Sequence, residues 1–122
     1  MLYKILFLSV ALMKWDENDK QMHLDLKQIF LQRCDPDTLG INEKVDFILT
    51  FWMVHEVKDQ TDFFSQLQAN LNGSGKILIA EPKIHVSAAD FQKILKIALS
   101  SGLRLCEQPP IRFSHSALFM AN

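Results

Sequence analysis

Apolar positions in this chain fall into short unbroken runs that alternate with stretches of helical periodicity. The first run, Ile5 to Met13, is apolar except for Ser9, and its length and continuity predict a buried strand over about Tyr3–Met13. Its Leu, Ala and Met residues leave a helix open as the alternative. Lys4 ahead of it loosely imitates a signal peptide, yet the run is too short to span a bilayer. Cleavage at the small-x-small trio Ser9-Val10-Ala11 would leave almost no apolar segment before it. From Asp16 to Lys27 the chain is polar, with Asp16, Asn18 and Asp19 as candidate helix caps over a weak stripe of Met22, Leu24 and Leu26. Ile29 to Cys34 is short and apolar and is stopped by Asp35-Pro36. Leu39 to Lys44 reads as a loop.

The pattern is clearer in the second half. Val45 to Trp52 is β-branched and aromatic, apolar apart from Asp46 and Thr50, and suits a strand buried on both faces of a parallel sheet. Phe63, Phe64, Leu67 and Leu71 share one face of a helix over about Gln60–Leu71. Asp59 or Thr61 caps its start, and Asn72-Gly73-Ser74-Gly75 ends it. Lys76 to Glu81 is a second buried strand, halted by Pro82. Ser87 with Asp90 opens another helix, lined by Phe91, Ile94, Leu95 and Ala98 and closed at Gly102. Leu103–Glu107 and Ile111–Met120 then form two strands joined by Gln108-Pro109-Pro110, a connection so short that they must be antiparallel.

Helices separating buried strands predict an α/β domain: a mostly parallel, Rossmann-like sheet with helices on its faces and a C-terminal antiparallel hairpin. At 122 residues the chain fits a single domain, 1–122, with no internal repeat or linker. Its hydrophobic content of 48% marks a folded globular protein. The net charge is −1 with basic residues scattered along the chain, so no nucleic-acid partner is expected, and no membrane partner either. The two cysteines, Cys34 and Cys106, lie far apart in apolar surroundings. They read as reduced, buried thiols of a cytoplasmic protein.

Candidate chemistry gathers where the strands end, the place at which open α/β sheets hold ligands. Thr50, Phe51 and Trp52 close the Val45 strand, the two aromatics reading as core residues unless a pocket opens there. His55 and Glu56 follow, and Glu81 ends the next strand, so His55, Glu56 and Glu81 are the candidates for acid–base work. His55 could serve as a base or line an acceptor pocket; a structural hydrogen bond to the loop after Glu81 is the reading we favour. His85 and Ser87 share that loop, and Ser87 is more economically a helix cap. A zinc signature H-E-x-x-H would need histidine where Asp59 stands, so no metal site is expected. Gly73-Ser74-Gly75-Lys76 imitates a phosphate loop, but Asn70, Ile77 and the strand that follows exclude one.

Three segments in order resemble the class I S-adenosylmethionine-dependent methyltransferases. Cys34-Asp35-Pro36-Asp37-Thr38-Leu39 is similar to the segment whose acid meets adenine. Asp46-Phe47 with Val54-His55-Glu56-Val57-Lys58-Asp59 is similar to the family's Asp-led "h-H-x-h-x-D" signature. Leu71 to Pro82 is similar to its "L-x-P-G-G-x-L-h-h-x-E" turn and strand. The resemblance covers about Ile29 to Met120, with 1–28 atypical. It implies S-adenosylmethionine as cofactor, with Asp35, Pro36, Thr50 and Phe51 on the cofactor side and no catalytic residue forced. The family's glycine-rich loop has no counterpart, since the four glycines are Gly40, Gly73, Gly75 and Gly102. No ribose-binding acid can be identified.

The chain therefore resembles an N-terminally truncated member, its front section removed or replaced, with an incomplete cofactor site and weak or no activity alone. Two alternatives are a non-catalytic homodimerising interaction module and a binder of another adenine nucleotide. In the family's sheet the strand ending at Trp52 borders the missing first strand, and a bare apolar edge there would aggregate. The Tyr3–Met13 run is expected to fill that slot, from the same chain or by exchange in a homodimer.

Overall fold

The computed structural model describes Ile5–Leu8 and Ile29–Gln32 as backbone, and residues 44–121 in full. Among the described residues six strands form one sheet: β1 (Ile5–Leu8), β2 (Ile29–Gln32), β3 (Val45–Phe51), β4 (Leu71–Pro82), β5 (Leu103–Glu107) and β6 (Ser114–Ala121). Their spatial order is β2-β1-β3-β4-β6-β5. β1 runs parallel to β2 and β3, and β3 parallel to β4. β6 returns antiparallel between β4 and β5. This is the expected α/β arrangement with its C-terminal hairpin. The slot beside β3 is taken by β1 of the same chain, in register from Ile5 opposite Phe47 to Leu8 opposite Thr50. The segments expected over 16–27 and 34–39, and the loop expected over 39–44 apart from Lys44, lie outside the described residues.

Two helices, α1 (Gln60–Ala69) and α2 (Ala88–Ser100), follow β3 and β4. Asp59 caps α1 by accepting from the Asp62 amide at 3.0 Å, and Ser87 caps α2 by accepting from the Asp90 amide at 3.1 Å. Each satisfies one of the amides a helix start leaves unbonded. Gly102, at φ 105, lies just past the C-cap Ser101 of α2, the conformation only glycine adopts cheaply. Both helices pack on one face of the sheet. Phe64 of α1 meets Phe119 edge-on with centroids 6.5 Å apart, and Phe91 of α2 stacks on His115 at 5.3 Å. Phe119 and His115 lie four residues apart on β6 and so share a face. Ile48, Ile77, Ile79 and Ala117 complete this core without exposure, and each large side chain so buried contributes about 1.5–3 kcal/mol.

Three expectations need correction. Helix α1 is closed by Asn70, whose side-chain amide donates to the Gln66 carbonyl at 2.8 Å, and not by the Gly-Ser-Gly turn. Residues 71–75 belong to β4, as a bulge that takes the register from Val45 opposite Leu71 to Phe47 opposite Lys76. Gly75 suits that place, because a Cβ would lie 2.9 Å from the Asn72 carbonyl oxygen as well as 2.5 Å from Leu71 Cδ1. The final strand starts at Ser114, with Ile111 forming only an isolated bridge to it. Cys106 is exposed, not buried. It lies on the edge strand β5, on the outward phase shared with exposed Arg104 and opposite to buried Leu103.

Candidate functional site

Parallel strands bring their carboxyl ends to one edge of the sheet. β1, β3 and β4 end there, β5 ends there too, and β6 starts there. The chain turns leftward from β1 to β2 and rightward from β3 to β4, so the reversal falls between β1 and β3, where open sheets open a crevice. Thr50 and Phe51 stand at that point, with Thr50 opposite both Leu8 and Ile79. The Thr50 side chain is fully buried, and its hydroxyl has no hydrogen-bond partner among the described residues. A buried polar group left so costs about 1–3 kcal/mol, a cost that a bound group could remove.

After Phe51 the backbone turns sharply. Trp52 adopts φ 55, a left-handed conformation that is rare for a bulky residue. Its amide donates to the Ala80 carbonyl at 2.8 Å, its indole Nε1 donates to Ser114 Oγ at 2.9 Å, and its ring stacks on Phe51 at 4.8 Å. Both aromatics are half-buried. The turn delivers the chain into a short 3-10 helix, Val54–Glu56, which sets the Val54 amide and the His55 ring against the end of β4.

Glu81 receives them. Its side chain is 0% exposed. Oε1 accepts from the Val54 amide at 2.6 Å, and Oε2 lies 2.6 Å from His55 Nδ1. Burial raises the Glu81 carboxyl above the ordinary 4.5, while the hydrogen bond and charge of His55 and the Val54 amide pull the other way. Removal from water outweighs these partners. The contact fixes Nδ1 and leaves Nε2 without a hydrogen bond among the described residues. The His55 side chain keeps 23% of its surface in solvent, so Nε2 can still be reached. His85, exposed on the loop after β4, stacks on His55 with centroids 6.0 Å apart.

Sequence reasoning named His55, Glu56 and Glu81 together; the fold joins His55 to Glu81 and leaves Glu56 exposed outside the pair. Asp35 and Pro36 lie outside the described residues. Ser87 is occupied as a helix cap. The Trp52–Ser114 bond was missed because its partners stand 62 positions apart and nothing local signals their meeting. Among the described residues no group of three His, Cys, Asp or Glu could hold a metal ion, and no helix is long and apolar enough to cross a membrane.

No protein-family model and no curated protein matches the chain by sequence. Solved structures do match it. A SAM-dependent methyltransferase from Aquifex aeolicus superposes with a TM-score of 0.72 at 13% identity, over 98% of this chain and 82% of that one. The Methanococcus jannaschii fibrillarin pre-rRNA processing protein gives 0.62 at 14% identity, over 98% of this chain and 66% of its own. A putative methyltransferase in complex with the Trm112 methyltransferase activator from Haloferax volcanii gives 0.68 at 11% identity, over 98% and 82%. At such identities the likeness is one of backbone architecture: the chain has the fold of the SAM-dependent methyltransferases.

Proposed function

We propose that this chain is an S-adenosylmethionine-dependent methyltransferase-like protein that keeps a base for the methyl acceptor but only part of the cofactor's seat. The observation that carries this reading is the 2.6 Å contact between His55 Nδ1 and a fully buried Glu81, at the sheet edge where this fold places its ligands. With Nδ1–H donated to the carboxylate, Nε2 holds its lone pair ready to take a proton. A base so placed contributes about 10²–10⁴-fold to a reaction that needs one.

On this reading the chain seats the nucleoside end of the cofactor better than its methionine end. Thr50, with its unpartnered hydroxyl, and Phe51 beside it would line the crevice, with Asp35 and Pro36 completing the adenine side. The methionine end calls for glycine backbone at close approach. Gly73 and Gly75 lie at the start of β4 and Gly102 at the start of β5, all at the edge of the sheet away from the site. On this reading the chain alone has weak turnover or none.

Calorimetric titration with S-adenosylhomocysteine and with adenosine, on protein of measured oligomeric state, tests this reading. Saturable binding of S-adenosylhomocysteine with little binding of adenosine supports it. Equal binding of both would replace it with a generic adenine site. No binding of either at millimolar ligand would leave an interaction module.

A further inference from the structure

A cleft of about 220 Å³ opens at the same edge of the sheet, between α2 and the segment joining β5 to β6. Its walls come from four parts of the chain: Lys83 beyond β4, Phe91 and Gln92 of α2, Gln108 and Pro109 of the connection, and His115 of β6. The stacked rings of Phe91 and His115, 23° from parallel, give it aromatic lining. Ser114 and Ser116 also line it, but their hydroxyls are engaged. Ser114 Oγ accepts from Trp52 Nε1 and donates to the Arg112 carbonyl at 3.1 Å, and Ser116 Oγ donates to the Pro109 carbonyl.

The polar groups left over are the Lys83 ammonium, the His115 imidazole and the Gln92 and Gln108 amides. Among the described residues no acid lines the cleft, and Lys83 pairs with no carboxylate. Donors and one fixed positive charge, set beside an aromatic wall and proline, make a site complementary to an anion with an apolar body. The volume falls below the roughly 300–1,000 Å³ of pockets for drug-sized ligands, which restricts the occupant to a small molecule. The geometry points to a binding site for a small organic acid, its carboxylate or phosphate held by Lys83 and its apolar body against the partly exposed His115 ring and Pro109. The inference goes beyond the proposed function and does not depend on it, because the cleft is built without the cofactor crevice.

The test is an amide-resolved NMR titration of the full chain with 4-hydroxybenzoate, phenyl phosphate and the neutral 4-hydroxybenzamide, without any adenosyl ligand. Saturable shifts confined to Lys83, Phe91, Gln92 and residues 114–116 on adding either anion are expected. Saturation by only one anion identifies carboxylate or phosphate as the recognised group. Lys83→Gln should weaken the binding by about tenfold or more, the loss of one charge-assisted hydrogen bond. Lys93→Gln, at an exposed lysine of α2 3.9 Å from Asp90, should leave it unchanged. Binding of 4-hydroxybenzamide as tight as that of the tighter anion, unaltered affinity in Lys83→Gln, shifts centred elsewhere, or no saturation by either anion would each overturn the proposal. Acid binding that survives a failed S-adenosylhomocysteine titration would separate this site from the cofactor reading.

Discussion

Replacing Glu81 by glutamine changes the charge at the site while nearly preserving its shape. One terminal oxygen remains to accept from the Val54 amide, now 2.6 Å from Oε1. The other terminal atom becomes an NH2 donor facing His55 Nδ1, so the imidazole is satisfied only by moving its own proton to Nε2. Glu81→Gln should therefore reverse the tautomer and turn Nε2 from acceptor to donor. Any turnover that uses His55 as a base should fall by about 10²–10⁴-fold. Stability moves the other way with pH. The folded-state pKa of Glu81 lies above the ordinary 4.5, so between the two values the folded chain holds a proton that the unfolded chain has lost. Unfolding free energy then falls as pH rises from about 4.5 to the folded pKa and stays at its lower level beyond. The glutamine variant lacks this loss, so it should gain stability relative to the parent across that window. Near neutrality the weaker neutral hydrogen bonds cost about 1–2 kcal/mol, which the relief of carboxylate burial offsets. Chemical denaturation of both proteins from pH 4 to 8, with imidazole 15N spectra of each, measures both effects. Parallel stability profiles, or an unchanged tautomer, would refute the reasoning.

Gly102→Ala should destabilise the fold by about 1–2 kcal/mol, since φ 105 is left-handed and a Cβ would sit 3.3 Å from Gln68 Nε2, itself bonded to the Ser101 carbonyl; a denaturant midpoint equal to the parent's would contradict this. Cys106 is exposed and should react with a thiol reagent at a rate that adding denaturant changes little, as stopped-flow labelling of the Cys34→Ser variant would read directly.

Local periodicity made most of the second half of the fold legible. β3, α1, α2 and β5 each announce themselves through apolar spacing, and Asp59, Ser87 and Gly102 punctuate the helices where a chain must satisfy its end groups. What escaped depends on register. Asn72-Gly73-Ser74-Gly75 has the composition of a turn, yet it lies within β4 as the bulge between Leu71 and Lys76. Cys106 sits between Leu105 and Glu107 in an apolar-looking strand, but it shares the outward phase of exposed Arg104, so counting from buried Leu103 places it in solvent. The His55–Glu81 pair was half legible: both residues end adjacent buried strands, which places them at one edge, but their contact needs the turn at Trp52. The Lys83–His115 cleft was not legible at all, since it requires Glu81 to face His115 across β4 and β6.

The left-handed Trp52 has a mechanical consequence. A bulky residue held there stores about 1–3 kcal/mol, and it stays only while its surroundings over-determine it. Its indole reaches over the end of β4 to Ser114, so β3 and β6 are laced together across the strand between them, and Glu81 lies under the lacing. Loosening the start of β6 would free the indole and let the backbone at Trp52 relax. The 3-10 turn carrying His55 begins two residues later and would be carried with it. The parallel half of the sheet and its hairpin therefore behave at this edge as one taut frame, in which the imidazole is aimed from the far side.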